Sequence, residues 1–246
     1  MIVRDIMTTK LVTVEPGDTL SHAANILRQY QFHHLPVARP ISRPENQQAD
    51  HTIHTPLLLL EGMLTSQDID MVVALAKQSA SGDVLQRPWQ EQRVVELMHR
   101  AAIRVTPTTS VAAAAQLLVE RNLNSLPVVE YEADDAGTQT VLVGLITRSD
   151  LLLALARMMG AFEPGMQLAI PLPPGDVSRL ARTLDLAAEL HMQVRSIVAA
   201  PVTGGVPQTA TLRLGTINPT PLLLRLREAG IDYSFADPLT GENDHA

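Results

Sequence analysis

The chain has 246 residues, of which 46% are hydrophobic and 18% charged, so it is too apolar to be wholly disordered and long enough for one or two domains. Its formal charge is −7, it has no dense run of Lys or Arg, and only 3% of its residues are aromatic, which argues against a nucleic-acid-binding surface. It contains no cysteine, which excludes disulfides, thiolate nucleophiles and cysteine-bound metals.

The sequence gives no sign of a segment that inserts into a membrane. Its first ten residues, MIVRDIMTTK, mix charges with apolar residues and lack the continuous apolar run of a signal peptide. The most apolar segment, which starts at Leu151, is shorter than the ~18 apolar residues that a membrane-spanning helix needs. We therefore expect a cytoplasmic protein without a membrane segment.

An internal repeat runs through the first 160 residues. The segment Ile6–Val37 aligns without a gap on Leu97–Val128, at a constant offset of 91 residues. Further along, GMLTSQD (62–68) aligns with GLITRSD (144–150) at an offset of 82, so the first copy has nine extra residues, all in its ARPISRPENQQADHTIHTP connection. Such self-similarity indicates two copies of one structural unit.

Both copies predict the same order of secondary structure. A short extended piece (11–14; 103–105), a helix opened by Thr19 or Ser110, an LPV-containing strand, a strand that leads into glycine and a second helix follow one another. Neither copy can bury the faces of its sheet and helices alone. We therefore expect two β-α-β-β-α units that pack against each other with pseudo-twofold symmetry.

Both copies end in the pattern GxxTxxD, which has two explanations. In the first, Thr65 and Thr147 cap a helix, and the acid three residues later completes a relative of the capping box. In the second, the glycine, the helix start and the acid form half of a nucleotide site, where Asp68 or Asp150 accepts two hydrogen bonds from a ribose diol. The residues alone leave both explanations open.

The duplicated unit, the LPV strands and the two GxxTxxD ends resemble a tandem pair of CBS domains, also called a Bateman module. The resemblance implies a regulatory sensor of adenosine ligands (AMP, ADP, ATP or S-adenosylmethionine) that has no catalytic cofactor. It implies a set of binding residues in each copy: Thr13, Val14, His34, Leu35, Pro36, Gly62, Thr65, Ser66 and Asp68 in the first, and Ile103, Arg104, Val105, Ser125, Leu126, Pro127, Gly144, Thr147, Arg148 and Asp150 in the second.

Within that set, the resemblance implies that Asp68 and Asp150 bind the ribose hydroxyls, while the extended pieces and the LPV strands surround the adenine. Gly62 and Gly144 would leave room for the close approach of the ligand. Arg148 is the candidate phosphate contact in the second copy, where the first copy has Ser66. We therefore expect the two sites to differ in their affinity for charged ligands.

Residues 161–246 predict a second domain with the order βαββαβ, the split βαβ arrangement. Its PPGDVSRLA segment resembles an ACT domain, which implies that Pro174, Gly175 and Asp176 bind an amino acid or another small effector; a plain Pro-Gly turn is the alternative. ACT sheets commonly pair edge to edge, so the resemblance also implies a homodimer.

We thus predict an α+β protein with a CBS pair at 1–160 (repeats 1–80 and 92–160) and an ACT-like domain at 161–246, which resembles the acetoin-utilisation regulator type. Four histidines (His33, His34, His51, His54) invite a metal site, but no acidic residue lies at a convincing ligand interval, and we expect none. Two alternatives to a ligand sensor remain: an oligomerisation scaffold with empty sites, and an enzyme that uses the histidine-containing insert.

Overall fold

The computed structural model describes residues 1–41, 56–78, 87–101, 103–134, 137–174, 176–199, 205–206 and 208–235. The chain divides into two compact units, Met1–Leu151 and Leu152–Ala246. Both are mixed α and β structures built on an antiparallel four-stranded sheet. Among the described residues, no helix has the length and hydropathy that a membrane span requires.

The first unit contains the predicted repeat of helices and hairpins. Its α-helices are α1 (Leu20–Tyr30), α2 (Ser66–Gln78), α3 (Val94–Leu97), α4 (Val111–Glu120) and the first turn of α5 (Arg148–Met158), and its strands are β1 (His34–Ile41), β2 (Leu57–Thr65), β3 (Ser125–Asp134) and β4 (Gly137–Thr147). The strand order is β1-β2-β4-β3, so one hairpin from each copy lies beside the other. The β1–β2 and β3–β4 registers shift at equivalent places, between Val37 and Ala38 and between Val128 and Val129.

The prediction of a first strand in each copy is wrong. The structure has only a single β-bridge at each of these places. Val14 pairs in parallel with Val37, and Val105 with Val128. Lengthening either bridge backwards by one step would need an N–H from the proline of the LPV segment, Pro36 or Pro127, and proline has none. The chain around Leu11–Thr13 and Ile103 therefore runs beside the sheet without joining it.

Each hydrophobic core of the first unit is completed by a segment from the other copy. Val94 is fully buried in the core formed by α1, β1 and β2, whereas Val3 is fully buried in the core formed by α4, β3 and β4. The same exchange occurs in the sheet, where Thr8 bridges Leu145 of β4 and His99 bridges Met63 of β2. We call 1–9 and 92–100 the crossing segments.

The two glycines of GxxTxxD are explained by these crossing segments. A Cβ added at Gly62 would lie 2.6 Å from the carbonyl oxygen of His99, and one added at Gly144 would lie 2.6 Å from Sδ of Met7 and 3.3 Å from the oxygen of Thr8. The space in front of each glycine is therefore filled by protein. Ligand approach, which we predicted as the reason for both glycines, is not needed to explain them.

The second unit has the predicted order βαββαβ. It consists of β5 (Met166–Pro171), α6 (Ser178–Glu189), β6 (Val194–Val198), β7 (Thr209–Leu214), α7 (Thr220–Glu228) and β8 (Ser234–Phe235), with the strand order β6-β7-β5-β8. Alternate residues of β5 and β7, such as Leu168 and Leu212, are fully buried in one core with Leu186 of α6 and Leu222 of α7. Both helices therefore pack on the same face of the sheet.

We expect Gly62→Ala to destabilise the protein more than its counterpart Gly144→Ala. The new methyl group meets a backbone carbonyl at residue 62, whereas at residue 144 its nearest neighbour is the flexible end of Met7. Overpacking of this kind costs about 1 to 3 kcal/mol, and we expect Gly62→Ala to reach that range and Gly144→Ala to stay below it. Urea unfolding of both variants measures the two losses, and equal losses would contradict the proposed crossing geometry.

Candidate functional site

The GxxTxxD motif of the first copy forms a helix cap at the start of α2. The N–H of Thr65 and its hydroxyl both donate to Oδ2 of Asp68, at 2.8 and 2.7 Å, and the N–H of Asp68 donates back to Oγ1 of Thr65 at 3.2 Å. The second copy repeats all three distances between Thr147 and Asp150 at the start of α5. The capping explanation of the motif is therefore confirmed in both copies.

The cap uses one oxygen of each aspartate and leaves the other to its surroundings. Oδ1 of Asp68 lies 2.9 Å from Nε2 of His99, a residue of the second crossing segment. Oδ1 of Asp150 has no hydrogen-bond partner in the part of the chain that the structure describes. The capping role consequently does not prevent Asp150 from binding a ligand.

Each aspartate lines a cleft whose walls come from both copies. The Asp150 cleft has a volume of about 420 Å³ and combines the start of α5 with Lys10, Leu11 and Val12 of the first copy. The Asp68 cleft has a volume of about 400 Å³ and combines the start of α2 with Ala101 and Ile103 of the second copy. Both volumes fall in the range of small-ligand sites.

The structure brings together eleven of the nineteen residues predicted for the CBS pair, if His34 is counted once for its place in both clefts. The Asp150 cleft holds His34, Pro36, Thr147, Arg148 and Asp150. The Asp68 cleft holds His34, Thr65, Ser66, Asp68, Ile103, Ser125 and Pro127.

The other eight predicted residues line neither of these two clefts. Leu35 and Leu126 are fully buried in the cores, because neighbouring residues of an extended chain point to opposite sides. The bridging valines, Val14 and Val105, are also buried, and so are both glycines. Arg104 lies over the ring of Tyr131 instead, with its Cζ 5.8 Å from the ring centroid. The eight are Thr13, Val14, Leu35, Gly62, Arg104, Val105, Leu126 and Gly144.

The guanidinium of Arg148 is occupied by the end of α4. Its Nε donates to the oxygen of Leu123 at 2.8 Å, and its Nη2 donates to the oxygen of Leu118 and to Oδ1 of Asn122, both at 3.2 Å. These acceptors lie at the end of α4 and in the turn after it, where the oxygen of Leu118 also accepts from the N–H of Leu123. Arg148 thus lines the Asp150 cleft, but most of its donors hold α4 in place.

Several residues that line the two clefts were not predicted from the sequence, above all Lys10, Phe32 and His99. They stand at positions where the two copies differ: Lys10 aligns with Ala101, Phe32 with Leu123 and His99 with Thr8. The signal was therefore present in the alignment, as mismatches rather than matches. Only the crossing of the segments shows which mismatch belongs to which cleft.

Burial and local hydrogen bonds shift the pKa of two cleft residues. Burial, and next the neighbouring charge of His33, lower the pKa of His34, although Asp68 acts in the opposite direction. Burial raises the pKa of Asp68, but the hydrogen bonds from Thr65 and His99 outweigh it, and the net pKa lies below the ordinary value. At neutral pH, Asp68 is therefore a carboxylate and His34 is uncharged.

The residues predicted to bind an effector in the second unit lie before α6. Oδ1 of Asp176 accepts a hydrogen bond from the N–H of Ser178, the first residue of α6, at 2.8 Å, and this hydrogen bond lowers the pKa of Asp176. Pro174 is exposed, and Gly175 lies outside the described residues. Among the described residues, no group of three His, Asp or Glu is placed to hold a metal, and His51 and His54 lie outside them.

The sequence model of the CBS domain family matches residues 3–43 and 94–157 of this chain. This match supports the predicted tandem CBS domain pair. The CBS domain-containing protein YhcV of Bacillus subtilis is 29% identical over 149 residues, which cover 61% of this chain and 81% of that protein. A homoserine O-acetyltransferase of Methanococcoides burtonii is 26% identical over 149 residues, which make up only 23% of that enzyme.

Solved structures of CBS proteins also align with this chain. The crystal structure of CBSX2 in complex with AMP has a TM-score of 0.41 and 23% identity, and covers 63% of this chain and 96% of that chain. A Vibrio cholerae protein assigned to acetoin utilization, AcuB, has a TM-score of 0.44 and 24% identity, and covers 67% of this chain and 98% of that chain.

We expect the lowered pKa of Asp68 to make its contribution to stability depend on pH. The charged carboxylate accepts the hydrogen bonds better than a neutral group. The free energy of unfolding of the wild type should therefore exceed that of Asp68→Asn by up to about 1.5 kcal/mol near pH 6. Because the folded pKa is depressed, this advantage should shrink once the pH falls below the unfolded value of about 4, and it should be lost as the pH falls through the folded pKa. Urea unfolding from pH 6 down to the lowest pH at which the protein is folded measures the difference, and a difference that does not shrink below about pH 4 would refute it.

Proposed function

We propose that this protein is a non-catalytic regulatory sensor that binds an adenosine nucleotide in the Asp150 cleft and, more weakly, in the Asp68 cleft. The observation that supports it most directly is the free Oδ1 of Asp150, which faces no protein donor among the described residues and belongs to a residue that lines a cleft. A carboxylate oxygen in such a place accepts the hydrogen bonds of a vicinal diol. Ribose supplies that diol.

The remaining walls of the Asp150 cleft fit the other parts of a nucleotide. Leu11, Val12 and Pro36 offer an apolar surface, and Phe32 offers an aromatic ring for the base. We expect Val12 rather than Val14 to meet the adenine, because the N–H and the oxygen of Val14 are both bonded to β1. Thr147 lies beside Asp150, where its hydroxyl is within reach of the sugar.

The charges of the two clefts favour an anionic ligand in the Asp150 cleft. It holds Lys10, an exposed cation without a carboxylate partner among the described residues, next to Arg148. The Asp68 cleft has Ala101 and Ser66 at the two corresponding positions. We therefore assign the role of phosphate contact chiefly to Lys10, since the Arg148 guanidinium is held by α4.

The second unit is proposed to be an ACT-like effector domain that takes part in a homodimer. Its strand order leaves β6 and β8 as sheet edges, whose unpaired backbone groups suit pairing with a second copy. Large apolar residues before β5 are also exposed, among them Leu152, Leu155, Met158 and Phe162. We propose an amino acid or another small molecule as the effector and, since the chain has no cysteine, a cytoplasmic location.

The scaffold with empty sites is the second candidate, and the helix caps favour it. Because the cap accounts for both Thr and Asp of each motif, a ligand is not required to explain their presence. An enzyme is the weakest candidate. The histidine-containing insert on which it depends falls outside the described residues, and none of the described residues forms a paired nucleophile and base.

Calorimetric titration with AMP, ADP, ATP and S-adenosylmethionine separates the sensor from the scaffold. For the ligand that binds best, we expect Asp150→Ala and Asp150→Asn each to lose about 1.5 to 3 kcal/mol of binding free energy, the range for a hydrogen bond to a charged group. Asn keeps an oxygen for the cap, so only Asp150→Ala should also lose about 1 kcal/mol of stability. No binding by any of the four ligands would favour the scaffold, whereas full affinity in Asp150→Asn would refute the role of Asp150 as the ribose contact.

We expect Lys10→Ala to weaken the binding of anionic ligands selectively. Removal of one exposed cation from the cleft should reduce the affinity for ATP by roughly three- to tenfold, as expected for a partly screened charge pair, and leave the affinity for adenosine nearly unchanged. Calorimetry with the two ligands on wild type and variant gives both ratios. Equal losses for ATP and adenosine would place Lys10 at the base or sugar, or show a general disturbance of the cleft.

A further inference from the structure

His99 and Thr8 occupy the same place in the two halves of the first unit. Thr8 exchanges two backbone hydrogen bonds with Leu145, of 2.9 and 3.0 Å, and His99 exchanges two with Met63, of 2.8 and 2.9 Å. Each residue is thereby fixed in front of the glycine and beside the helix cap of the opposite copy. The backbones are equivalent, so the clefts differ here only through the side chain.

That side chain decides whether the cleft aspartate is free. The imidazole of His99 reaches across to Asp68, with 2.9 Å between Nε2 and Oδ1, and the carboxylate side chain is only 14% exposed. Thr8 is too short to reach as far, and Oδ1 of Asp150 has no partner among the described residues. Both oxygens of Asp68 are therefore in use, whereas Asp150 keeps one oxygen for a ligand.

We propose that His99 is the residue that makes the two clefts unequal: it occupies the carboxylate oxygen that a ribose diol would need, and a ligand must displace it from Asp68. This inference rests on the proposed function, since it assigns a specificity to the same clefts. It adds that His99 competes with a ligand for Asp68, and that the equivalent positions His99 and Thr8 set this part of the difference between the clefts.

The strength of this competition follows from the exposure of His99. Its side chain is 69% exposed, so it can swing into water when a ligand arrives, and it weakens binding without blocking the cleft. The net value of one hydrogen bond in water corresponds to a change of roughly two- to tenfold in affinity. A purely structural contact of the same geometry would change the stability of the protein and leave the affinity as it is.

The experiment isolates each cleft and then exchanges the two side chains. In an Asp150→Ala background, which leaves the Asp68 cleft, AMP affinity is measured by calorimetry with His99, with His99→Thr and with His99→Gln. In an Asp68→Ala background, which leaves the Asp150 cleft, it is measured with Thr8 and with Thr8→His. Thermal unfolding of every variant shows that it is folded at the temperature of the titration.

We expect His99→Thr to raise the affinity of the Asp68 cleft for AMP by roughly three- to tenfold, because the oxygen becomes free. Thr8→His should lower the affinity of the Asp150 cleft by a similar factor. His99→Gln keeps an amide donor for Asp68 and should retain the low affinity, which separates the hydrogen bond from the shape of the ring.

This design distinguishes a failure of the role proposed for His99 from a failure of the proposed function. If the Asp150 cleft binds AMP but His99→Thr leaves the Asp68 cleft unchanged or weaker, the role of His99 is refuted and the proposed function stands. If neither background nor wild type binds AMP, ADP, ATP or S-adenosylmethionine, the proposed function itself fails.

Discussion

The reciprocal exchange of the crossing segments is the constraint on which the rest of the first unit depends. The bridges of Thr8 to Leu145 and of His99 to Met63 place each segment on the strand of the other copy, and the burial of Val3 and Val94 fixes the exchange in the two cores. Neither copy then has a complete core or a complete cleft alone. The glycine before each helix cap is the local requirement for this arrangement, because any larger residue would meet the crossing segment.

The helix caps connect this packing to the chemistry of the clefts. An aspartate that caps a helix is held by hydrogen bonds to one of its oxygens, so under the proposed function its second oxygen is positioned before any ligand arrives. Capping and ligand binding are therefore compatible roles for the same carboxylate. The sequence leaves the choice between these two roles open. In the structure, the contacts of the second carboxylate oxygen decide whether a capping aspartate is also available to a ligand.

The sequence predicts the local elements of this protein better than their partnership. The two α/β copies, the βαββαβ order of the second unit and the caps at Thr65 and Thr147 follow from periodicity and from short-range hydrogen bonding, which act within a few residues. The extended piece predicted as the first strand of each copy forms only one bridge, because the missing N–H of Pro36 or Pro127 prevents further pairing. The composite clefts, and the use of Arg148 by α4, depend on contacts between distant segments that no local pattern contains.

The differences between the copies carry more functional information than their likeness. Symmetry of the backbone ensures that two clefts form with nearly equal volumes, but it cannot make them bind differently. Lys10 against Ala101 changes the charge of a cleft, and Thr8 against His99 changes whether its aspartate is free. Under the proposed function, both changes favour the Asp150 cleft for an anionic nucleotide. Under the proposed function, the two clefts then fill at different ligand concentrations, and only a ligand that prefers one conformation of the protein converts that filling into a signal.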